Sequence, residues 1–154
     1  LLKRFEIKGV EQTFATIHSG LGNFREIDVE DLTKHRMDSE QIFIRPELVE
    51  TVNKAKSEGR NVCAVGTSVL RGMATAVSMG GKLKVYEGWT NKFIFPPYDF
   101  TVTTALVTNF HLPYSTMLMM VAAFGGYDLV MRAYDVAVKE GYRFGAYGDA
   151  MLII

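Results

Sequence analysis

The chain has 154 residues, 48% of them hydrophobic, which is enough to bury one sizeable core and predicts a single domain over residues 1–154. Lys and Arg number 17, as do Asp and Glu, so the balanced charge excludes the strongly basic composition of an autonomous nucleic-acid binder. The lone Cys63 excludes a disulfide framework or a thiolate metal cage and suits a reducing, cytoplasmic compartment.

The first residues of the chain have the pattern of a helix, and the last residues have the pattern of a strand. Residues 1–5 resemble the tail of an amphipathic helix that ends near Gly9, with no capping residue before it, whereas residues 151–154 are typical of a terminal strand. The apolar run at 117–124 is far shorter than the roughly 20 residues that cross a bilayer, and no secretory signal is present. We therefore expect a non-membrane protein that is truncated at its N-terminus.

Between these ends, helical and extended patterns alternate. In chain order, the sequence predicts a strand at 13–17, a helix at 29–34 capped by Asp28, a strand at 41–44, a helix at 46–57 followed by Gly59, a strand at 62–65, a helix at 68–78, strands at 83–86, 93–95 and 105–107, and helices at 117–124 and 127–140. Short apolar strands separated by helices predict an α/β fold with a largely parallel, partly barrel-like sheet and flanking helices.

The segment that joins the strand at 105–107 to the helix at 117–124 concentrates polar groups. Ser115 or Thr116 can cap the helix, while Asn109 and His111 add an amide and an imidazole where backbone N–H groups point outward. Two interpretations follow, a capped strand-to-helix turn or a site for a polar ligand.

Other polar residues also follow predicted strands. His18 leads into residues 20–22, whose two glycines suit either a simple turn or a phosphate-binding loop. Thr67 and Ser68 begin a helix that carries Arg71 one turn later, an arrangement for holding a carboxylate or phosphate, or for ordinary capping beside a solvated arginine. Because ligands gather beyond the C-terminal ends of parallel strands, one face of the sheet is expected to bring together His18, Thr67, Ser68, Asn109 and His111.

Two further groups of charged residues have both structural and functional interpretations. His35, Asp38 and Glu40 lie close together in sequence but match neither zincin nor EF-hand spacing, so no metal site is predicted, and Asp38 can pair with Arg36 at the surface. Asp149 precedes the apolar terminus, where it can cap a helix or contact a ligand.

Ordered blocks of sequence resemble the S-adenosylmethionine:tRNA ribosyltransferase-isomerase family of queuosine synthesis. The blocks lie at 16–25, 35–40, 65–68, 88–90, 108–116 and 142–153. Family members are about twice this length, beyond the usual span of one domain. The resemblance therefore implies the C-terminal half of a larger two-domain protein, whose partners are tRNA, S-adenosylmethionine and the missing N-terminal half.

The resemblance also implies a reaction. The ribosyl part of S-adenosylmethionine, a co-substrate with no further cofactor, is transferred and isomerised onto 7-aminomethyl-7-deazaguanine in tRNA, giving epoxyqueuosine and releasing adenine and methionine. A base must remove a proton beside the sulfonium, and the candidates with pKa values near neutrality are His18, His35 and His111. Methionine's carboxylate would meet Thr67, Ser68 and Arg71, and Asp149 or Glu40 would face an ammonium. The implied substrate-binding set is Arg25, Glu40, Thr67, Ser68, Arg71, Asn109, Ser115, Thr116 and Asp149.

Two positions depart from the family pattern. Asp38 stands where members commonly have a second histidine, and Ala74 stands where they commonly have a glutamate, which removes a carboxylate from that helix. A non-catalytic nucleotide- or anion-binding α/β module is the alternative function. Residues 65–68 also suggest a phosphoribosyl-type transferase, although the chain lacks an acidic pair beside a phosphate loop to hold magnesium.

Overall fold

The structure, a computed structural model, describes the backbone throughout and every side chain except those of Asn23 and Phe24. In chain order, the elements are α1 (Leu2–Ile7), β1 (Thr16–His18), β2 (Glu40–Ile44), α2 (Pro46–Ser57), β3 (Cys63–Val65), α3 (Thr67–Ala76), β4 (Tyr86–Thr90), β5 (Ala105–Asn109), α4 (Thr116–Gly125), α5 (Tyr127–Lys139) and β6 (Ala150–Ile153). Short 3-10 helices lie at Leu21–Phe24 and Leu32–Lys34.

The strands form two three-stranded sheets. In the first sheet, β2 lies between β1 and β4 and is antiparallel to both. In the second, β5 is parallel to β3 and antiparallel to β6. The α/β class is confirmed, but the prediction of one largely parallel, barrel-like sheet is wrong. In β4, exposed Glu87 and Trp89 alternate with less exposed residues, a burial pattern typical of antiparallel strands with one solvated face.

Most predicted helices are confirmed, while one expected helix and two expected strands differ in the structure. Helix α2 has the predicted bounds, and Gly59 adopts a φ of 68° just beyond it. The helix expected at 29–34 is only a 3-10 turn, capped by Asp31, whose carboxylate accepts a hydrogen bond from the Thr33 N–H, and not by Asp28. Residues 93–95 do not form a strand, and the strand expected at 83–86 begins only at Tyr86.

Helix α3 is the element shared by both sheets, since it contacts β1, β2 and β4 on one side and β3 and β5 on the other. Its buried residues Leu70, Met73 and Ala76 recur at helical spacing and join one core with Ile44 of the first sheet and Leu106 of the second. Helix α3 therefore lies where the two sheets meet. No helix in the described part of the chain is long and apolar enough to cross a membrane.

Candidate functional site

The junction between β3 and α3 presents a helix N-terminus beside β5. Gly66 bridges the two elements with a φ of 97°, and its N–H donates to the Val107 carbonyl at 2.8 Å. As the N-cap residue, Gly66 has no side chain with which to accept a hydrogen bond from the first turn. Buried Thr67 and half-buried Ser68 follow it. The first-turn N–H groups and these hydroxyls form a place suited to a negatively charged group.

A buried ion pair lies one turn further along α3. The guanidinium of Arg71 pairs with the Glu40 carboxylate of β2, and both side chains are only 2% exposed. Arg71 Nη1 also contacts Met37 Sδ at 3.5 Å, and Glu40 Oε1 accepts from the Gly20 N–H at 3.0 Å. The interpretation of Arg71 as a solvated arginine is therefore wrong. Burial lowers the pKa of Arg71 from its usual value, and the carboxylate compensates the buried charge.

The loop after β1 approaches the segment before β2 closely enough to require a glycine. A Cβ atom on Gly22 would lie 2.6 Å from Asp38 Cβ, so a larger residue there would displace one of the two backbones. Arg25 Nη1 lies 3.5 Å from Asp38 Oδ1, and both side chains are substantially exposed. Arg25 and Asp38 therefore form a weak surface pair at the rim of the loop.

His111 has two hydrogen-bond partners that sequence reasoning did not assign to it. Its Nε2 lies 2.8 Å from Thr108 Oγ1, and its backbone N–H donates to the Tyr134 hydroxyl at 2.9 Å. Burial lowers the pKa of His111 from 6.5 to about 4. The imidazole is accordingly neutral at physiological pH, the protonation state in which it can accept a proton.

An aromatic cluster packs around Phe110, the residue before His111. Phe110 packs edge-on against Tyr134 and Tyr142, with ring centroids 5.3 and 5.7 Å apart, and is tilted against Phe144 at 5.2 Å. Burial also raises the pKa of the Tyr134 hydroxyl, which therefore stays protonated. A signal for Tyr134 was present in the sequence, because it follows Val130 by four residues on the buried stripe of α5, where a tyrosine hydroxyl needs a partner.

The start of α4 is fixed by Ser115. Its Oγ accepts from the Leu118 N–H at 3.1 Å and donates to the Leu112 carbonyl at 2.7 Å, so Ser115 is the cap that the sequence left open between two residues. Thr116 is 1% exposed, and among the described residues its Oγ1 has no hydrogen-bond partner. Tyr114 before them adopts a φ of 57°, a strained conformation for a non-glycine residue.

Asn109 and Asp149 connect the ends of β5 and β6. The Asn109 amide donates to the backbone carbonyl of Asp149 at 3.2 Å and, more weakly, to that of Gly148 at 3.4 Å. The Asp149 carboxylate accepts from the Arg143 N–H at 2.8 Å. Both side chains thus hold the loop before β6 against the end of β5.

The predicted residues come together only in part. Thr67, Ser68, Asn109 and His111 follow the neighbouring strands β3 and β5. His18 belongs to the other sheet, where it pairs with Gln41, so the prediction that all five share one sheet face is wrong. The loop after β1 nevertheless reaches the loop after β5, because Ile27 N–H donates to the Tyr114 carbonyl at 2.8 Å.

His35 packs its ring against Phe93, with centroids 4.8 Å apart and the ring planes tilted by 57°. Among the residues whose side chains are described, no group of three or more His, Cys, Asp or Glu residues is arranged to hold a metal ion.

Comparisons with known proteins give one consistent result. The sequence profile of a family described as queuosine biosynthesis protein matches residues 1–153. A protein of Parabacteroides distasonis named S-adenosylmethionine:tRNA ribosyltransferase-isomerase is 69% identical over all 154 residues, and a Bacteroides fragilis protein of the same name is 68% identical. The chain spans 44% of the length of each of these two relatives.

A solved structure agrees with the sequence matches. The crystal structure of S-adenosylmethionine tRNA ribosyltransferase from Thermotoga maritima is similar over 99% of this chain and 48% of its own, with a TM-score of 0.81 and 38% identity. Fold, sequence profile and relatives therefore coincide, and the chain belongs to the queuosine biosynthesis protein family.

Proposed function

We propose that this chain is part of an enzyme that transfers and isomerises the ribosyl moiety of S-adenosylmethionine onto 7-aminomethyl-7-deazaguanine in tRNA, giving epoxyqueuosine and releasing adenine and methionine. The observation that carries the proposal is the 69% identity, over the whole chain, to a relative named for this ribosyltransferase-isomerase activity. In this proposal the chain is the C-terminal half of a cytoplasmic protein. Its partners are tRNA, S-adenosylmethionine as co-substrate, and the N-terminal half.

His111 is the base that we propose for removing the proton beside the sulfonium. Its support is its protonation state, since burial lowers its pKa to about 4: the imidazole is unprotonated at neutral pH, although the same shift makes it a weaker base than a free histidine. It follows β5, the strand that pairs in parallel with β3, and β3 leads into α3. His18 is exposed on the first sheet and His35 packs at a tilt against Phe93, so both are weaker candidates.

We propose that the carboxylate of methionine binds at the start of α3, through Thr67, Ser68 and the first-turn N–H groups. Arg71 would act differently from the first expectation, because its guanidinium is already paired with Glu40. Since Glu40 also accepts from the Gly20 N–H, the pair would hold the loop after β1 in place for substrate. Arg25 at the rim of that loop is exposed and available to an anionic group of tRNA.

The residues around α4 and β6 are proposed to shape the remaining wall of the site. Asn109 and Asp149 hold the loop before β6 against β5. The Asp149 carboxylate, which accepts from the Arg143 N–H and lies 3.8 Å from the Arg143 guanidinium, is proposed to meet an ammonium or aminomethyl group in addition to these contacts. Ser115 and Thr116 are buried at the start of α4. Their contribution to binding would come from the orientation of the first-turn N–H groups of α4.

The test uses a chimera in which the residues of the Parabacteroides distasonis relative outside the match are joined to this chain in the relative's own order. Adenine release from S-adenosylmethionine should require precursor tRNA. His111→Ala should lower the rate by roughly 10²-fold or more if the imidazole is the base, because general base catalysis contributes on that scale.

Thermal melting of the same variants separates catalysis from folding. We expect His111→Ala to cost only about 1 kcal/mol of stability, the ordinary range for a point change. A variant that melts early but keeps its specific activity would assign His111 a structural role. S-adenosylmethionine binding without adenine release in the unsubstituted chimera would favour the non-catalytic nucleotide-binding module.

A further inference from the structure

One face of the second sheet is apolar, and its residues on the outer strands β3 and β6 are exposed, whereas Val107 on the central strand is half-buried. Val65, Val107 and Leu152 are aligned across β3, β5 and β6 by the strand register, so their side chains project from the same face. Val65 is 68% exposed and Leu152 is 61% exposed. Cys63, two residues before Val65 on β3, is also exposed and lies on this face. We call these four residues the open face.

The opposite face of the same sheet is the one that builds the core. Ala64 and Leu106 are both 0% exposed and belong to the same core cluster as Leu70 of α3 and Val121 of α4. The helices that follow β3 and β5 therefore supply apolar cover to one side of the sheet. The side chains alternate in and out along β3, where Ala64 is buried between exposed Cys63 and Val65.

The second sheet is mixed, with one parallel and one antiparallel pair. All-parallel sheets are covered by helices on both faces, and the parallel pair of β3 and β5 resembles their strands in carrying apolar residues on both faces. Burying a valine or leucine side chain contributes about 1.5–3 kcal/mol relative to leaving it exposed. The residues of the open face are therefore of the types found in a protein core, and covering them with another apolar layer would be favourable.

We propose that the open face is covered by an apolar helix face from the part of the longer polypeptide that the relatives possess and this chain lacks. The Parabacteroides distasonis relative matches this chain at 69% identity, yet the chain spans only 44% of it, so more than half of that protein is available to supply the layer. A segment of the same polypeptide meets the open face at high effective concentration.

This inference rests on the proposed function only in taking the chain as one part of a longer enzyme. Its experiment measures burial and not catalysis. A chimera that protects the open face but releases no adenine would therefore contradict the proposed function alone, whereas an active chimera with an exposed face would contradict this inference alone.

Cys63 provides the first measurement, because it is the only cysteine of the chain and lies on the open face. Its alkylation rate is followed by mass spectrometry of the Cys63 peptide, in the isolated chain and in the chimera with the relative's remaining residues. We expect alkylation in the chimera to be slower by at least about tenfold, because a buried thiol reacts only from open conformations. Val138→Cys on α5, where Val138 is 67% exposed, is the matched reporter and should react rapidly in both proteins.

Equal Cys63 rates in the isolated chain and in a cooperatively melting chimera would overturn the proposal. Sedimentation of the isolated chain tests whether a second copy of the chain covers the open face instead. If the chain dimerises and Cys63 is protected without the additional residues, a second copy covers the face and the proposal is wrong.

A second variant keeps the inference testable even if the chimera folds poorly. In the isolated chain, Val65→Lys combined with Leu152→Lys should lower the fluorescence of a bound anilinonaphthalene sulfonate dye while leaving the melting temperature nearly unchanged. Val138→Lys is the control and should leave dye binding as it is. Unchanged fluorescence in the double variant would show that the open face is not an uncovered apolar surface, and would overturn the proposal.

Discussion

His111 shows how burial sets the chemistry of a single residue. Its pKa is lowered from 6.5 to about 4 by burial, so the folded protein holds the imidazole neutral where an unfolded chain would begin to protonate it. Thr108 and Tyr134 hold the ring and the backbone from different directions. The neutral state is thus a product of tertiary packing around a loop whose sequence only supplied the histidine.

The first prediction at this scale concerns pH. Because the folded pKa of His111 lies below the unfolded value, the unfolded chain binds more protons in the interval between them. The stability from neutral His111 is fully present above about pH 6.5 and is lost as the pH falls through about 4. The urea concentration at the midpoint of unfolding should decrease as the pH is lowered across this interval. The decrease should be smaller in His111→Gln. The exposed His18 is the control, and an equal flattening by His18→Gln would contradict the assignment to His111.

The second prediction concerns the buried pair of Arg71 and Glu40. Arg71→Leu should destabilise the chain by about 3–5 kcal/mol, because it leaves a buried carboxylate without its compensating charge. Arg60→Leu is the control, since Arg60 is part of a surface cluster with Glu11 and Glu58, and its loss should cost far less stability than the loss of Arg71. Denaturant titrations of the two variants provide the comparison. If Arg71→Leu and Arg60→Leu lowered the stability by similar small amounts, the Arg71 charge would be solvated and the assignment of a buried pair would be wrong.

At the scale of elements, α3 and α4 begin in different ways. Helix α4 is capped by the Ser115 side chain, whereas α3 begins after Gly66, which offers no side chain to its first turn. A helix whose first N–H groups lack a side-chain cap is better prepared for an anionic ligand than one whose cap is internal. The start of α3 is accordingly the element that we associate with the substrate carboxylate.

The cap of α4 gives the prediction at this scale. Ser115→Ala should cost about 0.5–2 kcal/mol, because the Leu118 N–H loses its acceptor. Thr116→Val is the neighbouring control, since the Thr116 hydroxyl is buried without a partner among the described residues and its removal should leave stability unchanged or slightly higher. Thermal melts of both variants decide the point. A larger loss from Thr116→Val would mean that its hydroxyl has an unrecognised structural role.

At the scale of the whole molecule, the chain has a complete core on one side of its second sheet and an open face on the other. Its equal numbers of acidic and basic residues also provide no general attraction for tRNA phosphates. Both properties suit a part of a larger assembly better than an autonomous tRNA-modifying enzyme.

We therefore expect the isolated chain to be catalytically silent. Incubation with precursor tRNA and S-adenosylmethionine should release no adenine above the protein-free background, while the chimera with the relative's remaining residues should restore release. Catalytically competent turnover by the isolated chain would show that its own surface suffices for tRNA. Intact folding, checked by a cooperative melt, is the necessary control for a negative result.

Local sequence determined much of the helical structure and the identity of several polar positions. Pro46 at the first turn and Gly59 beyond the end were sufficient for α2, because both signals act through the backbone of a few neighbouring residues. The capped turn before α4 was likewise visible, although the choice of Ser115 over Thr116 was not. Family membership was also readable, because the motifs are short blocks in a fixed order.

Only the tertiary structure decided how the strands pair and which polar residues meet. A strand's own residues do not specify whether its partner runs parallel, so the separation of His18 and His111 into different sheets could not be read from alternating helices and strands. The burial of Arg71 against Glu40 was hidden for the same reason, since an arginine one turn into a helix looks solvated until a distant strand brings a carboxylate to it. Local backbone preferences act over a few residues, whereas pairing and burial depend on contacts between segments far apart in the chain, and these decided the site.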